Sequence, residues 1–435
     1  MPKAVISNRI YLDVTPELSK ELQKALTYKI RKPPRPGMTH FSAFDIIKSY
    51  KVVTSKIMSI PIGRMELIPE GYEIVDKRIY NEMYFPPPKL ALRPDQLVEY
   101  NEVDDMCLLN AEPGWGKTFW ALHVAAKLGQ KTLVVCHNTM LRDQWAKEIK
   151  ILFGIEAGVI GSGVIDHDCC ITVGNIQTLT KMANQIHKEF GTIIVDEMHH
   201  VSASTFSTFV DAMYARYKIG LSGTITRKDG KQVTFKDYFG PKLLQPAEAN
   251  VMVPSVTIMK TGITLAPGEP WFQKINTLLY DPSYQQFVAS VAKVQMSKGH
   301  KVLIVADRVE FLQNVKELIG EKCVCIVGES SFEDREAVAE QIKSGKKDCL
   351  AGSRQIFAEG ISINPLSCLI LAGPISAPAY ADGLLHQLTS RIKRQWPGKL
   401  EPVVVDMQFA GSADRKHNKE RLDFYKRKGW EIRGE

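Results

Sequence analysis

Residues Ala111–Thr118 (AEPGWGKT) place two glycines, a lysine and a threonine at the spacing of a phosphate-cradling loop. The turn of Glu112, Pro113, Gly114, Trp115 and Gly116 is expected to aim backbone N–H groups from Gly114 onward at phosphate oxygens, backed by the positive end of the helix that follows. Lys117 reaches the β and γ phosphates in this reading, and Thr118 ligates Mg²⁺. A second segment, Gly191–His200 (GTIIVDEMHH), ends an apolar run in two carboxylates. Asp196 is expected to hold the Mg²⁺ of a bound nucleotide, and Glu197 to orient and deprotonate an attacking water. A third, Gln387–Arg394 (QLTSRIKR), carries Arg391 and Arg394 three residues apart, on one face of an expected helix with Gln387 one turn earlier. Guanidinium forks suit charge developing on a γ-phosphate, so the arginines are expected to complete an ATP site from a second domain, with a nucleic-acid face beside Lys393, Trp396 and Lys399 as the competing use.

Positioning these groups requires a strand before the loop, a helix after it, and a strand ending at Asp196. The apolar runs Met106–Leu109, Thr132–Cys136, Cys170–Val173, Thr192–Val195 and Lys218–Leu221 alternate with helical patterns, which argues for a parallel sheet covered on both faces. A second series, Lys301–Val305, Cys323–Val327, Cys349–Gly352, Cys368–Leu371 and Val403–Val405, repeats the arrangement. Ahead of both lie short strand-like runs, Val5–Val14 and Val52–Ile62, around a helix expected from about Pro16 to Tyr28, closed by Pro86, Pro87 and Pro88. The expected domains are therefore 1–85, a small α+β unit, 86–245 and 246–435.

Charge is distributed unevenly. Residues 1–56 hold 11 lysines and arginines against 4 acids, an excess of seven in a chain whose total is +8. Such a segment on near-neutral domains suggests a polyanion contact, with a solvated basic face as the alternative. Tyr28, Lys29, Arg31, Lys32, Arg35, His40 and Phe41 interleave cations with aromatics, a composition suited to phosphate and stacking contacts. No run approaches a membrane span and the first ten residues lack an apolar signal core, so a cytoplasmic protein without a membrane partner is expected. The eight cysteines have no paired CxxC spacing and read as reduced, buried thiols; neither His199 and His200 nor His167, Cys169 and Cys170 complete a zinc set.

In order along the chain, these segments resemble the superfamily 2 helicases and translocases from about Leu92 to the C-terminus. Arg93-Pro-Asp-Gln96 resembles the adenine-reading glutamine motif, and Thr132–Trp145 and Val173–Thr178 resemble strand-contacting motifs. Asp196-Glu-Met-His199 is the DExH form of motif II; Ser222-Gly-Thr224 stands in the place of the coupling motif, and Arg227-Lys-Asp-Gly230 is similar to the XPB-like branch. Lys301–Asn314, Phe357–Ile363 and Gln387–Arg394 resemble motifs IV, V and VI, with Ser362 and Ser390 where many relatives carry aspartate and glycine. The wording around Gly360 is similar to phage branch-migration helicases of the UvsW kind.

The resemblance implies two tandem RecA-like, doubly wound parallel-sheet α/β domains preceded by the small α+β domain. It implies ATP binding by Arg93, Gln96, Gly360 and Gln387 beside the phosphate loop, and coupling through His199, Ser222 and Thr224. It further implies nucleic-acid contacts at His137, Asn138, Asn175, Gln177, Thr178, Arg227 and Arg308. The expected function is an ATP-driven DNA helicase or translocase acting on forks and junctions in recombination, repair or replication, in the host cytoplasm for a phage-encoded chain. RNA as substrate, or an ATP-switched DNA-binding protein without strand separation, are the alternatives.

Overall fold

The computed structural model describes every residue except 32–43, 199–202, 224–229, 248–250, 265–269, 329, 331, 359–362, 379–382 and 435. The chain divides into two compact units, Met1–Ala247 and Glu248–Glu435.

The first unit opens with β1 (Lys3–Ile6), β2 (Ile10–Asp13), α1 (Pro16–Ala25), β3 (Thr27–Arg31), β4 (Phe44–Lys48), β5 (Lys51–Thr54), β6 (Ile57–Ile60) and β7 (Glu73–Asp76). Five of these strands form a mixed sheet in the order β5-β6-β2-β1-β7, while β3 and β4 pair only with each other as an antiparallel ribbon. The helix expected to run to about Tyr28 ends at Ala25, and Tyr28 lies on a strand. This small sheet is pinned to the rest of the unit by buried ion pairs. Arg9 donates from Nη1 to both carboxylate oxygens of Asp211 at 2.8 and 2.7 Å, and Arg64 Nη1 lies 3.3 Å from Asp237 Oδ1. The Tyr28 hydroxyl donates to that same oxygen at 2.8 Å. Tyr28 therefore faces the protein, because a fully buried Asp237 needs donors. Burial is also the main reason that the Asp237 carboxyl titrates above the usual carboxylate range.

The chain then continues through α2 (Pro94–Asn101), β8 (Cys107–Asn110), α3 (Lys117–Leu128), β9 (Thr132–Cys136), α4 (Thr139–Phe153), β10 (Gly158–Gly161), β11 (Val164–Ile165), β12 (Ile171–Asn175), α5 (Ile176–Ile186), β13 (Thr192–Val195), α6 (Ala203–Ala212), β14 (Tyr217–Ser222), α7 (Phe235–Phe239) and β15 (Leu243–Leu244). The strands assemble as β11-β10-β12-β9-β13-β14-β8-β15, all parallel except the β10–β11 pair. Alternation along each strand sends side chains to opposite faces: Val134 and Cys136 join a core with α3 and α4, and Leu133 and Val135 join one with α5, α6 and α7. Burial on both faces explains why these strands read as unbroken apolar runs.

The second unit is built the same way from β16 (Ser255–Thr264), α8 (Trp271–Tyr280), α9 (Pro282–Ser297), β17 (Val302–Ala306), α10 (Val309–Ile319), β18 (Cys323–Ile326), α11 (Phe332–Lys343), β19 (Cys349–Ser353), α12 (Arg354–Ala358), β20 (Cys368–Leu371), α13 (Gly383–Lys393), β21 (Val403–Ala410), α14 (Ser412–Arg427) and β22 (Ile432–Arg433). Its sheet runs β18-β19-β17-β20-β21-β16-β22, with every recorded pairing parallel. β16 is a strand that the proline-spaced sequence before it concealed. All eight cysteines are free thiols, and six are buried. No described helix is long and apolar enough to cross a membrane.

A buried ionic network ties α14 to β21. Arg421 Nε donates to both oxygens of Asp406 at 3.0 Å, its Nη1 donates to the Ile375 carbonyl at 2.8 Å, and the Tyr425 hydroxyl donates to Asp406 at 3.1 Å. Both charged groups are almost completely inaccessible to water. Removing the cation alone strands a carboxylate, so Arg421→Met is expected to lower unfolding stability by about 3–5 kcal/mol, measured by urea denaturation. Adding Asp406→Leu to Arg421→Met is expected to recover part of that loss; a double variant no more stable than the single one would assign the loss to packing.

Candidate active site

Three neighbouring strands of the first unit end at one sheet edge. β14 lies between β13 and β8, with Ser222 in register with Asn110 and Val195 with Gly220, so the chain leaves the edge at Ala111, Asp196 and Gly223 together. Carboxyl ends of parallel strands are where α/β sheets collect ligand-binding loops. The loop after β8 is closed by the Trp115 N–H donating to the Glu112 carbonyl at 3.1 Å, and Gly114 and Gly116 take φ of 96° and 95°. Gly116 is doubly constrained, since a Cβ there would also lie 2.7 Å from Gln96 Nε2. α3 begins at Lys117, so the first N–H groups of that helix point into the loop.

The loop is braced from behind. Gln96 is fully buried; its Nε2 donates to the Trp115 carbonyl at 3.0 Å, and its Oε1 accepts from the Arg93 N–H at 3.1 Å. Arg93 Nη2 donates to the same Trp115 carbonyl at 2.7 Å and pairs with Asp95. Both members expected to read adenine thus also hold the shape of the phosphate loop.

Lys117 Nζ donates to the Ala111 carbonyl at 3.0 Å and lies 3.9 Å from Glu197 Oε1. Glu197 has φ of 43°, a left-handed backbone unusual for a residue with a side chain and a sign of local strain. Asp196 is buried, accepting the Trp145 indole N–H on Oδ2 at 2.7 Å and the Glu197 N–H on Oδ1 at 2.9 Å. Burial, then the neighbouring Glu197 charge, pushes the Asp196 carboxyl up to about 6, while the Trp145 hydrogen bond and Lys117 pull it down. A desolvated carboxylate held by two donors, one turn-and-strand away from a helix-start threonine, is a donor set that fits Mg²⁺, which takes one or two carboxylates and leaves its other positions to water and phosphate. Trp145 was not singled out in the sequence. It lies on the buried stripe of α4, and although a buried indole N–H needs an acceptor, no spacing rule says which carboxylate supplies it.

The expected nucleic-acid contacts of this unit sit farther along the same edge, at the ends of β9 and β12. Gln177 is exposed and donates to the His137 carbonyl at 3.2 Å, Asn138 and His137 are joined side chain to side chain at 3.1 Å, and Thr178 is half-buried. Asn138 also caps α4 by accepting the Leu141 N–H at 2.8 Å. Asn175 is buried, with its side-chain oxygen accepting from Arg142 at 3.2 Å. It holds the edge in shape, and Arg142, which the sequence left unremarked, is the group that holds it.

In the second unit Gln387, Ser390 and Arg391 are buried on α13. Arg391 Nε donates to the Phe357 carbonyl at 2.7 Å, and the Ser390 hydroxyl bonds back to the His386 carbonyl at 2.7 Å. The expectation of one helix carrying both arginines needs correction. α13 ends at Lys393, whose carbonyl accepts the Met252 N–H at 2.7 Å, while Arg394 bridges Val251. The residue that would continue the helical ladder onto that carbonyl is Pro397, which has no N–H. Arg394 Nη1 lies 3.4 Å from Asn364 Oδ1, and burial lowers its guanidinium to about 10. Arg308 donates to Asn276 at 2.7 Å. Arg354, absent from the sequence expectations, is enclosed against Asp307 and the Pro374 carbonyl, with burial lowering it to about 10. His199, Thr224, Arg227, Gly360 and Ser362 lie outside the described residues, as do Lys32, Arg35, His40 and Phe41.

Comparison with known proteins assigns the family. Residues 88–227 match the family model described as type III restriction enzyme, res subunit, and residues 285–395 match the helicase conserved C-terminal domain. The chain is 42% identical to the probable helicase D10 of Escherichia phage T5 over 440 residues, covering 99% of this chain and 95% of that protein. It is 26% identical to the DNA 3'-5' translocase XPB2 of Sulfurisphaera tokodaii over 201 residues, 45% of each. The fold is similar to the Pyrococcus furiosus Hef helicase domain, with a TM-score of 0.51 at 13% identity, covering 76% of this chain and 98% of the other. With a phosphate loop, a strand-ending Asp-Glu pair and two RecA-like units, the chain belongs to the superfamily 2 helicases, nucleic-acid-dependent ATPases that include the phage D10 protein.

Proposed function

We propose that this chain is an ATP-dependent DNA translocase that unwinds or branch-migrates forked and junction DNA. The observation that carries the motor chemistry is the approach of Lys117 Nζ to both the Ala111 carbonyl and Glu197, beside a buried Asp196. DNA as the track is supported by the similarity to XPB2, a DNA 3'-5' translocase, and by the excess of basic residues in the first 56 positions.

Lys117, released from its carbonyl, binds the β and γ phosphates, and the N–H groups opening α3 hold their oxygens. Glu197 accepts the proton of the water that attacks the γ-phosphate, and its strained backbone fixes the carboxylate near Lys117. Trp145 holds Asp196 in one rotamer. Thr118 and Asp196 would hold Mg²⁺, which neutralises phosphate charge when bound. Gln96 and Arg93 keep the loop rigid, and by their resemblance to the glutamine motif they contact the base. In the second unit Arg391 and Arg394 supply guanidinium charge to the γ-phosphate, and loss of that charge partner on hydrolysis biases the motor toward its next state. His137, Asn138, Gln177 and Thr178 grip the sugar-phosphate backbone without reading sequence.

The deciding experiment compares ATP hydrolysis stimulated by single strands, duplex, forks, four-way junctions and RNA, beside strand displacement. Strongest stimulation by forks or junctions with displacement supports the proposal, and strongest stimulation by RNA overturns it. Lys117→Ala is expected to abolish measurable turnover. Glu197→Gln is expected to retain nucleotide binding while kcat falls by about 10²–10⁴-fold in a steady-state assay; parental turnover would remove Glu197 as the base. The acid limb of kcat/KM is expected near pH 6, because Asp196 must be ionised and burial has raised it to about that value. Trp145→Phe keeps the packing but deletes a hydrogen bond that favours the ionised form, so the limb is expected to move to higher pH.

A further inference from the structure

The β3–β4 ribbon carries a face that the ATPase chemistry does not use. Opposite residues of an antiparallel pair share a face, and the register pairs Thr27 with Lys48, Lys29 with Ile46, and Tyr28 with Ile47. One face is spent on the protein. Tyr28 donates to Asp237, and Ile30, 9% exposed, packs so closely on Gly230 that a Cβ there would lie 2.7 Å from it. The other face meets solvent with Phe44 54% and Ile46 60% exposed, flanked by exposed Lys29 and Lys48. Asp45, the only acid on either strand, belongs by alternation to the inward face. Among the described residues of the ribbon this face carries an aromatic and an aliphatic side chain, two lysines and no acid, which makes it complementary to a ligand that is flat and apolar at its centre and anionic at its rim. The exposed end of a DNA duplex, a π-stacked base pair between two phosphate chains, has that form.

We propose that the outer face of this ribbon is a wedge that meets the terminal base pair where duplex and single strands diverge. Phe44 and Ile46 stack on the pair, and Lys29 and Lys48 hold the flanking phosphates. The anchoring gives the face its mechanical use: the Tyr28–Asp237–Arg64 cluster fixes the ribbon to the unit that carries the phosphate loop, so displacement of that unit along DNA drives the ribbon against the pair. This role rests on the DNA motor reading above.

The test uses the full chain, a forked duplex with 2-aminopurine in its terminal pair, and the exposed variant Phe44→Ala with Ile46→Thr. The parent is expected to change 2-aminopurine fluorescence on binding, and the double variant to lose that change. Base pairs separated per ATP hydrolysed are expected to fall about tenfold, the effect of losing one aromatic stacking contact. Lys29→Ala with Lys48→Ala is expected to weaken fork binding and flatten its salt dependence. Stimulated hydrolysis in the parent together with undiminished separation per ATP in the double variant overturns the wedge alone. A parent whose hydrolysis no DNA stimulates overturns the motor reading and the wedge with it. Loss of self-association by sedimentation, with separation intact, would assign the face to a second copy of the chain and also overturn the wedge.

Discussion

The placement of one ammonium group constrains the first unit more than any other interaction. Lys117 has to be kept ready for phosphate without being neutralised, and the structure holds it between a carbonyl 3.0 Å away and a carboxylate 3.9 Å away. A carbonyl is an acceptor that a phosphate oxygen readily replaces, and an ion pair at 3.9 Å is not a close charge-assisted hydrogen bond. Holding the two partners there requires β8 and β13 to end at the same edge, with β14 between them. It also requires a rigid loop at Gly116, and the fully buried Gln96 provides the rigidity.

Buried charge recurs at several places where this protein fixes one element against another. Arg9 with Asp211, and Arg64 and Tyr28 with Asp237, join the small N-terminal sheet to α6 and α7, while Arg421 with Asp406 joins α14 to β21. Such pairs gain little net stability over apolar packing, but their directional hydrogen bonds permit few alternative alignments. For the N-terminal sheet the consequence is mechanical. Arg9, part of a basic segment that reads as free positive charge, is consumed in docking, while Lys29 and Lys48 stay exposed on the ribbon.

Asp196 illustrates how a site tolerates an unfavourable group. Its burial opposes ionisation, and the Trp145 indole and the Glu197 backbone N–H partly offset that cost. The left-handed backbone at Glu197 belongs to the same design: the chain leaves β13 through a strained turn that lets two consecutive residues serve one site.

The sequence by itself determined the main strands of the first unit's parallel sheet and the setting of its phosphate loop. Runs such as Thr132–Cys136 are apolar at every position because both faces of a parallel strand are covered, and the AEPGWGKT segment carries its own strand, turn and helix context. Local pattern also located α13 and, through Pro397, a reason for it to stop, but the partner that takes the free Lys393 carbonyl, Met252, lies more than a hundred positions away. For the same reason only tertiary structure decided that Trp145 holds Asp196, that Arg142 holds Asn175, and that Tyr28 turns inward while Phe44 and Ile46 turn outward. A polar group's partner is set by which strands become neighbours and which face is covered, and those are properties of the assembled sheet rather than of residues near in sequence.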